Sequence, residues 1–196
     1  MQWRKQGLLY RPQANAWMVS HASLPFAEPL RGNHIKVYFS GRDKQNKSQA
    51  GSFEVDITRP GKIHNFSSKP ILSYGEPGTF DDAGSMASWV VNCRDKKYLY
   101  YIGWNLGVSV PFRNAIGLAV SEDGGKSFKK ISRGPVLDRD LVDPGFVASP
   151  CVLIESNIWR MWYLGCTGWE IYQGELRHRY RICYAESEDE IGRAHV

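Results

Sequence analysis

Val37-Tyr38-Phe39-Ser40-Gly41, Leu99-Tyr100-Tyr101-Ile102-Gly103 and Met161-Trp162-Tyr163-Leu164-Gly165 carry one pattern, and their closing glycines stand 62 residues apart. Aromatic and β-branched residues running into a glycine read as a strand that ends in a turn. A fixed period of strand-bearing units is the mark of a repeat architecture. The flanks repeat too. Lys69-Pro70-Ile71-Leu72 matches Gly134-Pro135-Val136-Leu137, and Phe80-Asp81 matches Val142-Asp143. Ala87-Ser88 matches Ala148-Ser149, and Ala119-Val120-Ser121-Glu122-Asp123 matches Ala185-Glu186-Ser187-Glu188-Asp189. Each unit reads as a Pro-hydrophobic strand, an acidic turn, an inner strand, an aromatic strand ending in Gly, and a strand ending in Ser-x-Asp. Four strands per unit is the content of one β-propeller blade.

The remaining sequence agrees with an all-β chain. Strand-like runs at 34–41, 51–57, 88–92, 98–103, 115–121, 149–155, 158–165 and 179–186 are separated by Gly, Pro, Asn and Asp. No stretch holds a capped helical period. Ser121-Glu122-Asp123-Gly124-Gly125-Lys126-Ser127-Phe128 fits the S-x-D-x-G-x-[ST]-[WF] Asp-box. In such a hairpin, Ser and Asp side chains hold the turn backbone, Gly takes a positive φ, and the aromatic packs back.

Composition narrows the function. Hydrophobic residues are 42% and aromatics 13%, enough for a packed core and against global disorder. The net charge of +5 is scattered, and its longest basic run is Arg177-His178-Arg179-Tyr180-Arg181. No nucleic-acid-binding motif accompanies it, so nucleic acid is not expected as a partner. An anionic sugar or phosphate fits the charge. No 18-residue apolar run predicts a membrane span. Cys93, Cys151, Cys166 and Cys183 form no CxxC pair and have no His at ligand spacing. They read as reduced core thiols of a cytoplasmic protein, with no metal and no cofactor.

Three units do not close a ring, since propellers have about four to eight blades. Residues 1–189 read as a partial propeller domain. Residues 190–196 fit no part of the repeat and read as a non-native tail, with the natural chain expected to continue past 189. The pattern sets no oligomeric state.

The segments Tyr38 to Asp43, Phe80 to Gly84, Tyr100 to Trp104, Arg113 to Ala119 and Trp162-Tyr163 together resemble the five-bladed β-propeller glycosidase superfamily. Arabinanases, β-xylosidases, levansucrases and invertases belong to it, with mannoside phosphorylases as cousins. The resemblance spans roughly residues 5–189. It implies a five-bladed propeller, of which about three blades are present, acting on a carbohydrate. Trp17-Met18-Val19-Ser20-His21-Ala22 stands where the invertase opening carries its Asp, so His21 takes the place of the first acid.

Glycoside hydrolysis needs two carboxyl groups flanking one bond. The superfamily carries its carboxylates at the starts of innermost strands, which implies Asp81 and Asp143 here as catalytic residues; each also fits a turn Asp that bonds its own backbone. Asp82, Arg42, Asp43 and His21 are candidate substrate contacts. Arg113, between Val110-Pro111-Phe112 and Ala115-Ile116-Gly117, has a planar fork for a sugar hydroxyl, carboxylate or phosphate. Trp104 and Trp169 follow corresponding glycines and are candidates to stack on sugar faces, with packing inside the fold as the equal alternative. Glu170 and Glu175, on an expected loop after Trp169, are candidates for the acid partner. The expected activity is hydrolysis of a glycosidic bond. The alternatives are a phosphorolytic or glycosyl-transferring relative, and a non-catalytic propeller that binds glycan or protein.

Overall fold

The computed structural model describes residues 2–190, and residues 191–196 of the expected tail lie outside them. Eleven strands and no helix are found among the described residues: β1 (Ser20–Pro29), β2 (His34–Arg42), β3 (Ser48–Asp56), β4 (Ile63–His64), β5 (Gly84–Cys93), β6 (Lys96–Leu106), β7 (Phe112–Ser121), β8 (Lys129–Lys130), β9 (Phe146–Glu155), β10 (Ile158–Tyr172) and β11 (Glu175–Ser187). They form an eight-stranded sheet and a separate three-stranded one, neither closed on itself. The larger sheet is two antiparallel meanders, β1–β4 and β5–β8, which touch at one parallel pair, Ser48↔Gly84. The third meander is β9–β10–β11.

Gly41, Gly103 and Gly165 stand on β2, β6 and β10, the second strand of each meander. A Cβ at Gly103 would meet the Phe80 ring at 2.3 Å and Asp81 Cβ at 2.7 Å. At Gly165 it would meet Asp143 Oδ1 at 2.2 Å. At Gly41 it would meet the Met18 side chain at 3.0 Å. Each glycine thus gives room to the segment leading into the first strand. In the first meander that segment presents Met18, not His21, where the others present an aspartate. The contacts set the expected cost of substitution. Gly103→Ala overpacks a ring and should lose about 1–3 kcal/mol. Gly41→Ala meets a flexible thioether and should lose less. Urea unfolding of the two variants checks the order.

Several expectations change in detail. Strand β1 was not evident from the sequence. Two register irregularities, and positive φ at His21 (64°) and Leu24 (51°), break its alternation. The Pro-hydrophobic segments are not full strands. Leu72 and Leu137 make isolated bridges to Ala50 and Ile116, on the third strands of the preceding meanders. Pro70 and Pro135 lack the N–H a ladder needs. Glu170 lies on β10 and Glu175 opens β11, because the loop expected there is a two-residue turn. Gln173 and Gly174 both have positive φ (51° and 81°), which suits a tight hairpin.

Two core clusters sit between meanders, and a third, with Trp17, Met18, Val37, Phe39, Phe53 and Val55, lies within the first. Tyr38, Ala50, Leu72, Ala87, Leu99, Tyr101, Ala119 and Phe128 pack between the first two. Val91, Tyr100, Ile116, Leu118, Val147, Val152 and Trp159 pack between the second and third. A buried polar junction crosses the first interface. Glu28 accepts from Tyr38 Oη and Asn92 Nδ2, both at 2.8 Å, and pairs with Lys97. Buried Lys36 donates to the Gly125 carbonyl. In the turn over 121–128, Asp123 Oδ1 accepts the Lys126 and Ser127 N–H groups at 2.9 and 3.0 Å. Gly124 and Gly125 have positive φ there, and Phe128 is buried. The bonds from Ser127 and Ser121 outweigh desolvation and hold the Asp123 carboxyl well below its ordinary range.

Candidate functional site

The ends of β2 and β6 and the start of β7 converge at one mouth. Ser48 pairs with Gly84, and a Cβ at Gly84 would lie 2.1 Å from Trp104 Nε1, so this glycine lets the indole lie across the junction. The Arg42 guanidinium sits over the Trp104 ring, 5.4 Å from its centroid, and Arg42 Nη1 donates to Asn46 Oδ1 at 2.9 Å. Arg42, Asn46, Met86, Trp104, Phe112 and Asn114 line a groove of about 320 Å³. A smaller cleft, about 80 Å³, adjoins it at Asn114 and is lined by Asn105, Arg113, Asp138 and Arg139. On the other side Phe112 meets Trp169 edge-on at 5.3 Å, and Phe146 and His178 complete the aromatic cluster.

Asp81 and Asp143 are each 1% exposed and are held alike. Asp81 accepts from Thr79 Oγ1 at 2.9 Å, Tyr101 Oη at 3.0 Å and Ser85 Oγ at 3.2 Å, and pairs with Lys130. Asp143 accepts from Tyr163 Oη at 3.2 Å and pairs with Arg181 at 3.3 Å. Tyr101 and Tyr163 are themselves 62 residues apart. Burial first, and then the neighbouring carboxylate charge, push both phenols well above their ordinary range, so they stay donors. In the first meander this place is held by apolar Met18 and Phe39. Asp81 and Lys130 also border an open groove of about 530 Å³ with Tyr74, Glu76, Thr79 and Arg133; Asp143 does not line it.

Of the sequence candidates, the fold brings Arg42 and Trp104 into contact, places Arg113 in the adjoining cleft, and links Trp169 through Phe112. It does not bring the others into that groove. His21 is exposed and its Nδ1 lies 2.8 Å from Ser20 Oγ. Asp43 Oδ1 caps its own turn through the Gln45 and Lys47 N–H groups at 2.9 Å. Asp82 accepts from Gly78 N at 2.9 Å. Glu170 pairs with Arg179 at 2.6 Å, and Glu175 with Arg177. Trp169 is not the positional counterpart of Trp104: one 62-residue period after Trp104 stands Cys166, which follows Gly165 as Trp104 follows Gly103. Sequence reasoning missed Asn46, Met86, Phe112 and Asn114 in the groove and Thr79, Ser85, Tyr101 and Lys130 around Asp81. The available signal was the 62-residue coincidence of both Asp–Tyr pairs. Among the described residues no group of three or more His, Cys, Asp or Glu is placed to hold a metal ion. No helix of the described residues is long and apolar enough to cross a membrane.

No family model matches the chain. It is 42% identical over 192 residues to two uncharacterized proteins of Mycobacterium tuberculosis, from strains CDC 1551 / Oshkosh and ATCC 25618 / H37Rv. The match takes in 97% of this chain and 63% of each relative, so the chain spans less than two thirds of their length. Among solved structures it is similar to a thermostable family-43 glycoside hydrolase, with TM-score 0.61 and 14% identity over 87% of this chain and 60% of that one. It is also similar to Zg3597, a family-117 glycoside hydrolase of Zobellia galactanivorans, with TM-score 0.58 and 15% identity over 93% and 48%. A family-32 β-fructofuranosidase of Bombyx mori, solved with sucrose, follows at TM-score 0.55 and 13% identity over 85% and 35%. At these identities the likeness is one of fold: the chain has an all-β architecture shared with propeller-type glycoside hydrolases.

Proposed function

We propose that this protein is carbohydrate-active, with a glycan held in the groove between Arg42, Trp104, Phe112 and Asn114. The observation that carries this reading is the groove itself. An indole and a phenyl ring offer apolar faces, while a guanidinium and two amides converge beside them, the combination a sugar ring and its hydroxyls require. The likeness in fold to glycoside hydrolases supports it. In this reading the three meanders are blades of a five-bladed propeller. Ile182 and Tyr184 are 84% and 47% exposed, whereas Ile116 and Leu118 of the second meander are buried against the third. They form the face on which a further blade would pack.

The enzymatic form of the proposal is hydrolysis of a glycosidic bond, with Asp81 and Asp143 as carboxylates at the starts of inner strands; phosphate or a second sugar as acceptor would make it a phosphorylase or transferase. A second reading, glycan binding without catalysis, is favoured by the burial of both carboxylates and their pairing with Lys130 and Arg181. Hydrolysis of a panel of aryl glycosides by the protein, its Asp81→Asn and Asp143→Asn variants and Trp104→Ala separates the two. Turnover that both Asn variants lose while staying folded supports the enzyme. Binding without turnover supports the second reading. Trp104→Ala should weaken glycan binding by about tenfold, or roughly 1.4 kcal/mol. Unchanged binding in that variant would remove the groove from either account.

A further inference from the structure

We infer that the sugar taken by this groove carries an anionic substituent, an inference that rests on the glycan-binding reading above. The groove and its adjoining cleft are lined by three arginines, Arg42, Arg113 and Arg139, against one acid, Asp138. Asp138 is taken up locally, 3.7 Å from Arg139. Among the described residues, no carboxylate stands within 4.0 Å of the Arg42 or Arg113 guanidinium. The β11 arginines behave differently. Arg177, Arg179 and Arg181 each have an acid partner: Glu175, Glu170 and Asp143. The nearest acid in sequence, Asp43, spends Oδ1 on its own turn.

Arg42 is also oriented. Its place over the Trp104 ring and its bond to Asn46 hold the guanidinium at the groove wall, and its other N–H groups make no hydrogen bond among the described residues. A planar fork held in place beside an aromatic wall suits an oxyanion on a sugar, because it donates two parallel charge-assisted bonds. Arg113 lies in the cleft that shares Asn114 with the groove, so a ligand spanning the two meets both cations. A uronate carboxylate, a sulfate ester and a phosphate ester all present that chemistry.

The test is direct binding of four probes to the protein by calorimetry: a neutral oligosaccharide, an oligogalacturonide, a sulfated galactan oligosaccharide and a hexose phosphate. At least one anionic probe is expected to bind about tenfold or more tighter than the neutral one. Its affinity should fall as NaCl rises from about 50 to about 500 mM. Arg113→Gln, at an exposed position, should remove most of that preference, lowering affinity for the anionic probe far more than for the neutral one, and Arg42→Gln serves as the second variant. The probe that responds identifies the anion. Equal affinity for neutral and anionic probes, or a preference untouched by either variant, overturns the anionic class and leaves the glycan reading standing. Failure of every sugar to bind overturns both. A single-stranded oligonucleotide is run as a fifth probe, and its binding more tightly than any sugar also overturns the proposal.

Discussion

Replacing Asp81 by alanine is expected to cost about 3–5 kcal/mol of folding stability, the range for breaking a buried ion pair from one side. The side chain of Asp81 is 2% exposed and that of its partner Lys130 is 21% exposed. Truncation strands the Lys130 ammonium and leaves the Tyr101 and Ser85 hydroxyls short of an acceptor, while Thr79 Oγ1 keeps the Glu76 carbonyl at 2.8 Å. Asp81→Asn keeps the shape and one acceptor oxygen, so it should cost less. Combining it with Lys130→Met, which removes the stranded charge, should recover part of the loss. Urea unfolding followed by tryptophan fluorescence reads all three variants. A change below about 1 kcal/mol in Asp81→Ala would mean that these bonds do not hold the segment in place. The same variants inform the chemistry. Turnover lost in a stably folded Asp81→Asn protein would assign the carboxylate to the reaction as well as to the fold.

Glu28→Ala is expected to be comparably damaging, at about 3–5 kcal/mol, because it unties the first meander from the second. Glu28 sits on β1, Tyr38 on β2, Asn92 on β5 and Lys97 on β6, and all converge on one carboxylate. Burial alone would raise the Glu28 pKa. The bonds from Lys97, Asn92 and Tyr38 outweigh it and hold the group below its ordinary value of 4.5. A depressed carboxylate contributes stability that is fully present above its unfolded value and is lost as pH falls through its folded value. Wild-type stability should therefore decline as pH drops below about 4.5, and Glu28→Gln should flatten that part of the profile. Parallel profiles for the two proteins would argue against Glu28 as the source of the slope.

The strands that carry the repeat were legible because their cause is local. Leu99-Tyr100-Tyr101-Ile102-Gly103 has strand-forming side chains and a glycine that admits Phe80 and Asp81. β1 was illegible for an equally local reason: Pro25 and the positive φ at His21 and Leu24 obscure its alternation. Its ten residues are defined by pairing with β2.

The candidate site was legible only in its parts. Arg42 and Trp104 are visible as residues with the right chemistry, but they lie 62 positions apart. Their contact depends on the meeting of β3 and β5 at Ser48 and Gly84, a single pair that no periodicity encodes. Lys130 stands on β8, 49 residues from Asp81, and is likewise brought in by the meander.

By itself, then, the sequence determined the all-β class, the 62-residue period, most strands, and the positions where aspartate precedes an inner strand, all set by near-neighbour sterics and side-chain alternation. Only the tertiary structure decided that both aspartates are gripped by a tyrosine and a cation, and that Arg42, Trp104 and Phe112 share one groove. Those outcomes depend on which meander faces which, and that is settled by burial of apolar surface between elements distant in the chain.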